Sequence, residues 1–145
     1  MSAAKTRVLV GSLAAMLLAG VVAAQVTRTK SPDGAKVYII SPKNGDTVSS
    51  PFTVQFGLKG MGVAPAGVTQ ANTGHHHLLV DVTDMPDLNT PMPNNEHIRH
   101  FGGGQTEVEL TLPPGKHTLQ LMLGDALHIP FDKPVMSEKI TITVK

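Results

Sequence analysis

Phe52, Val54, Phe56 and Leu58 alternate with Thr53, Gln55 and Gly57. Side chains of a strand point to its two faces in turn, so a period of two marks a half-buried strand. The period returns in Gln105–Leu112, where Val108, Leu110 and Leu112 are in phase. It returns again in His117–Leu123, through Leu119 and Leu121, and in Lys139–Val144, through Ile140 and Ile142. Lys36–Ile40 reads as another short strand, with Val48 in a brief extension. Proline- and glycine-rich turns separate these runs, and no segment beyond the N-terminal stretch carries a convincing 3.6-residue helical period. The pattern predicts an all-β fold, an immunoglobulin-like antiparallel β-sandwich of about seven strands. Its core is expected from Phe52, Val54, Phe56, Leu78, Val80, Val108, Leu110, Leu119, Leu121, Ile140 and Ile142. Pro113-Pro114-Gly115-Lys116 predicts a hairpin between the two strands that flank it.

The strand that carries the chemistry begins at Gly74-His75-His76-His77-Leu78-Leu79-Val80-Asp81. Alternation puts His76 with Leu78, Val80 and Val82 on an apolar face, where it should be a buried hydrogen-bonding residue. His75 and His77 project together from the other face. His97, His100, His117 and His128 follow, so all seven histidines lie between positions 75 and 128. Loops at Gly60–Gly74, Thr83–Asn95 and Gly124–Pro134 lie beside them, and loops of this kind commonly carry function. Gly102-Gly103-Gly104 permits close approach of the backbone.

The N-terminus reads differently. Lys5 and Arg7 precede 17 uncharged residues, Val8 to Ala24, which end in small residues before Gln25. This is the form of a secretory signal peptide, residues 1–24, cleaved after Ala24. An uncleaved anchor is the alternative, and the run is short for a membrane helix of about 20 residues. Residues 25–35 then form a linker or frayed terminus, and residues 36–145 one β-sandwich domain. The expected location is periplasmic or secreted. Without Lys5 and Arg7 the twelve basic residues become ten against eleven acidic ones, a balance of −1. No basic run points to nucleic acid. Membrane contact is expected only if the N-terminal segment stays uncleaved.

Export permits disulfides, but the chain has no cysteine. Thiolate metal sites and thiol chemistry are thereby excluded. The absence of tryptophan and the single tyrosine, Tyr38, argue against a carbohydrate-binding surface. Imidazoles two apart on a strand can share one ion, and without thiolates such ligands suit copper, zinc or nickel. The candidate metal ligands are His75, His77, His97, His100, His117 and His128, or a subset of them. Met61, Met85, Met92, Met122 and Met136 could add affinity for Cu(I) as thioethers, or simply fill gaps in the core. Catalysis has weaker support: there is neither a Gly-x-Ser-x-Gly elbow nor a His-Glu-x-x-His helix. No catalytic residue is assigned. Asp81, Glu107 and Asp125 are read as groups that orient histidines or cap turns.

Several blocks resemble a family of short exported bacterial proteins, the domain of unknown function numbered 4399. They are the Gly74–Asp81 triplet strand, His100-Phe101-Gly102-Gly103-Gly104-Gln105-Thr106-Glu107, and Pro114-Gly115-Lys116-His117-Thr118-Leu119-Gln120-Leu121 running to Gly124-Asp125. His128-Ile129-Pro130 and Pro134-Val135-Met136-Ser137 complete the likeness, which covers roughly Ser41 to Val144. The Ser41–Phe52 opening and the Pro114–Leu119 turn also resemble bacterial immunoglobulin-like modules. The resemblance implies an exported β domain without an established activity. It also implies a further histidine where Phe131 stands.

The leading expectation is a periplasmic binding protein that holds a transition metal, copper first and zinc next. The alternative is a structural or partner-binding immunoglobulin-like module whose histidines brace loops, and a small metal-dependent enzyme comes third. A metal site needs at least three imidazoles within reach of one point, whereas bracing needs only local pairs.

Overall fold

The computed structural model describes residues 26–145, so the expected signal peptide lies outside the described residues. The strands are β1 (Lys36–Ser41), β2 (Thr47–Val48), β3 (Phe52–Lys59), β4 (Gly62–Val63), β5 (Thr73–Val80), β6 (Ile98–His100), β7 (Glu107–Leu110), β8 (Gly115–Gly124) and β9 (Ile140–Val144). One sheet has the order β1-β3-β7; the other runs β2-β9-β8-β5-β4, with β6 also paired to β5. All pairings are antiparallel except β2 with β9 and β4 with β5. Among the described residues no helix is long and apolar enough to cross a membrane.

The two sheets pack as a β-sandwich, and the alternating residues meet between them. Phe52, Val54 and Phe56 of β3 join Leu78 and Val80 of β5, Leu110 of β7, Leu119, Leu121 and Leu123 of β8, and Ile142 and Val144 of β9. Val108 and Ile140, expected in the core, are only partly buried at its margin. Val37, Phe101, Phe131 and Val135 belong to the core without having been expected there. Phe131, where the family resemblance implied a histidine, is 1% exposed and packs into this apolar interior. Leu121 is fully buried. Leu121→Ala removes its methyl groups and leaves a cavity, so denaturant unfolding should report a loss of about 2–5 kcal/mol. A loss below ~1 kcal/mol would contradict this packing.

The hairpin expected around Pro113–Lys116 does not form. β7 pairs with β3 in one sheet, while β8 pairs with β5 and β9 in the other. The Pro113-Pro114 segment therefore arches from sheet to sheet. A period of two shows that a strand has a buried face, but both inner faces of a sandwich satisfy it. Leu110 and Leu121 thus enter the core from opposite sheets instead of lying on neighbouring strands.

A second departure concerns β5. Its two faces were expected to divide into core and surface, yet His75 to Val80 are all buried. His76, Leu78 and Val80 point between the sheets. The opposite face, with His75, His77 and Leu79, is covered by loop segments; Leu79 packs there with Met92, Ile98 and Met122. The segment 25–35, expected as a linker, is fastened between Arg28 and Ser31. Arg28 Nε donates to the Pro130 carbonyl at 2.9 Å, and Arg28 Nη2 donates to that of Phe131. Asp132 N donates to Thr29 O at 2.7 Å, and Ser31 N to Asp132 O at 3.1 Å. These bonds lay the N-terminal segment along the loop that carries His128.

Candidate metal centre

β5 lies between β8 on one edge and β6 on the other, and this pairing builds the site. His75 and His77 stand two residues apart on the outer face of β5. The register sets His100 of β6 directly opposite His77. On the other edge, Gly124 stands opposite His75 and Met122 opposite His77. His128 reaches the same place from the loop after β8. Ring centroids are 4.8 Å apart for His75 and His77, 5.0 Å for His77 and His100, and 4.5 Å for His100 and His128. His75 lies 4.9 Å from His100 and 5.1 Å from His128. One nitrogen from each of the four lies within 4.8 Å of those of the other three. His75 Nε2 and His128 Nδ1 are 3.1 Å apart and share a hydrogen. A tetrahedral ion with bonds of about 2.0–2.1 Å holds its nitrogens roughly 3.3 Å apart, close to that spacing.

Two glycines make room for the rings. A Cβ on Gly124 would meet His77 Cε1 at 2.8 Å, and a Cβ on Gly102 would run into the ring of His100. The close approach anticipated for the Gly102–Gly104 run thus has a use: it lets an imidazole lie against the backbone.

The His128 loop is tied down tightly. Asp125 Oδ1 accepts from Leu127 N at 2.9 Å and Ile129 N at 3.0 Å, and Oδ2 accepts from Thr29 Oγ1 at 2.7 Å. His128 N donates to Asp125 O at 3.0 Å, and Met92 N donates to His128 O at 2.9 Å. His128 has φ of 67°, a left-handed conformation that a residue with a Cβ adopts at some cost. The Asp125 bonds on either side hold it there. Asp125, read from sequence as orienting a histidine or capping a turn, does both.

Burial decides the protonation state of His75, His77 and His100. The folded environment pushes His75 down to about 4, first by desolvation and then by the neighbouring imidazoles, against a weak opposing pull from Asp125. Desolvation also brings His77 down to about 3, reinforced by His75, His100 and His128. His100 is lowered by desolvation and by His128. Neutral imidazoles are the form that binds metal, so at pH 7 these three are ready to ligate. Neither nitrogen of His77, nor His100 Nε2, has a hydrogen-bond partner, although each is buried. Buried polar atoms are normally paired, and an ion at this point would take one nitrogen from each ring.

His76 behaves otherwise. Its ring packs on Phe56 with centroids 5.1 Å apart, on the core side of β5. It is buried as expected, but neither ring nitrogen has a hydrogen-bond partner. Desolvation brings it down to about 4, weakly opposed by the nearby Gln105 backbone. His76 fills a core position with an imidazole ring.

His97 and His117 do not join the cluster. His97 Nδ1 donates to Val80 O at 3.0 Å, and the rest of its side chain is largely exposed. His117 has both nitrogens engaged, Nδ1 with Asp81 Oδ2 at 2.7 Å and Nε2 with Pro113 O at 2.8 Å. A ring facing two acceptors donates twice, which requires the imidazolium. Its pKa is accordingly raised, chiefly by the Asp81 hydrogen bond. A raised folded pKa stabilises the fold fully below the unfolded value of about 6.5, and the contribution disappears as pH climbs through the folded value. Asp81→Asn should lower the His117 titration midpoint in an NMR experiment; an unmoved midpoint would rule out this pairing.

No curated protein and no solved structure matches the chain. Residues 54–145 match the family model described as Domain of unknown function (DUF4399), a stretch that holds all four clustered histidines and six of the nine strands. The chain belongs to that family.

Proposed function

We propose that this protein is an exported binder of a transition metal, copper first, through His75, His77, His100 and His128. The observation that carries this reading is the convergence of four imidazole nitrogens within 4.8 Å of one another. Copper, zinc and nickel all accept imidazole, and copper(II) leads the affinity order of the divalent ions. Four protein ligands fill a tetrahedral shell, and a filled shell is the mark of a holding site; catalytic centres keep a position for water or substrate. His75 and His77 are 1% and 0% exposed, in keeping with a closed site. His97 and His117, with their local partners, fit the bracing role considered for all the histidines.

The test is calorimetric titration of the purified protein with Cu(II), Zn(II) and Ni(II) at pH 7. Binding of one ion per chain, lost in the His75→Gln/His77→Gln double variant, is the expected result. Equal binding by the two proteins would remove the site.

Export rests on Lys5, Arg7, the uncharged run to Ala24 and the small residues before Gln25. Mass spectrometry of the protein from its native compartment should find Gln25 as the first residue. An intact Met1 in the membrane fraction would favour an anchored form instead.

A further inference from the structure

Resting on the four-histidine centre as a metal site, we infer that it takes monovalent copper in preference to divalent ions. The four clustered ligands are all imidazoles, which carry no charge when they ligate, and no carboxylate belongs to the set. Any ion bound there brings its whole charge into a buried place. The cost of burying an ion rises with the square of its charge, so a divalent ion costs about four times as much as a monovalent one of equal size.

The surroundings do little to offset a second charge. Asp125 is the acid whose field reaches His75. Its oxygens already accept from Leu127 N, Ile129 N and Thr29 Oγ1. One carboxylate can balance one positive charge. Arg28, which donates to the carbonyls of Pro130 and Phe131, places a guanidinium along the loop that carries His128. That charge opposes any further positive charge on the ion.

The walls also favour a soft ion. Met122 stands opposite His77 across the β5–β8 ladder and is fully buried. A Cβ on Gly124 would meet both the His77 ring, at 2.8 Å, and the Met92 methyl, at 3.2 Å, so both side chains lie over this glycine. Met92 and Met122 pack with Leu79 and Ile98 as an apolar layer. The methionines pack beside the rings as soft, polarizable walls. A four-imidazole tetrahedral shell suits the filled d shell of Cu(I), whereas Cu(II) prefers tetragonal geometry. The affinity order that favours Cu(II) ranks divalent ions only.

The experiment is an anaerobic competition titration of the purified protein at pH 7. Cu(I), kept reduced with ascorbate, is partitioned against bicinchoninate; Zn(II) and Cu(II) are partitioned against chelators of matched strength. One Cu(I) per chain is expected, held at least about 100-fold more tightly than either divalent ion, a difference of about 2.7 kcal/mol. His100→Gln changes the ligand from the short strand β6, outside the β5 ladder with β8, and should weaken Cu(I) binding at least about tenfold. Its circular dichroism should match the wild type. Divalent binding as tight as Cu(I) binding would overturn the monovalent preference and leave the metal centre standing. Failure to bind any of the three ions would overturn both. Wild-type Cu(I) affinity in folded His100→Gln would place the ion elsewhere and overturn the inference.

Discussion

Metal ion at about 100 times its dissociation constant is expected to raise the melting temperature of the wild-type protein by roughly 10 °C. An ion that binds only the folded state stabilises it by about 2.7 kcal/mol at that excess. For a domain of this size each kilocalorie is worth roughly 4 °C. The unfolded chain also carries histidines, and weak binding there would trim the gain. The His75→Gln/His77→Gln variant should show almost none of it, because it loses half of the convergent ligands. Both positions are buried, so the metal-free variant must be melted alongside as its own reference. His77 leaves two ring nitrogens without partners in the fold. A glutamine amide there inherits an existing deficit more than it creates a new one, so the metal-free fold should survive. An equal thermal shift in both proteins would mean that the ion binds somewhere other than this cluster.

Much of this site could be read from the chain, for a physical reason. Alternation along β5 fixes His75 and His77 on one face and His76 on the other, whatever lies beyond. His100 joins them through the β5–β6 register, which aligns it with His77. The sequence marks a histidine beside a glycine run but not the strand that it will pair with. His128 is less legible still. Its position depends on a loop held by Asp125 and on a left-handed backbone that no periodicity announces. His97 and His117 illustrate the reverse error. Residue type made them candidates, but local acceptors at Val80, Asp81 and Pro113 occupy them. The missed burial of the outer face of β5 has the same origin. Met92 and Ile98 come from distant polar loop sequence and from a three-residue strand, too short to show a period. Pairing partners and loop closure are long-range properties, and local patterns constrain them weakly.

In the presence of a chelator, the metal-free protein should lose stability steeply on acidification, and His76→Leu should soften that loss. His76 and His77 are fully buried, and burial brings them down to about 4 and about 3. In the unfolded chain both titrate near 6.5. Above that value both states are neutral at these positions, and the fold has its full stability. As pH falls below it, the unfolded chain takes up protons that the folded protein refuses. Each such histidine then costs about 1.4 kcal/mol per pH unit until its folded pKa is reached. Together the two cost roughly 3 kcal/mol per unit between about pH 6 and 4. His75, brought down to about 4, acts in the same direction. A domain holding about 6–10 kcal/mol, within the usual range, should therefore unfold with a midpoint near pH 4–5. His117 does not mask this, because its contribution is lost on the alkaline side. His76→Leu removes one of the proton-accepting groups and replaces an unpartnered ring with apolar packing against Phe56. At pH 7 its stability should equal or exceed that of the wild type, since no hydrogen bond is lost. Its acid midpoint should fall by about half a pH unit, followed by circular dichroism across a pH series. Coincident acid transitions in the two proteins would mean that His76 already carries its proton inside the fold, and that it finds there a partner that the packing around Phe56 does not provide.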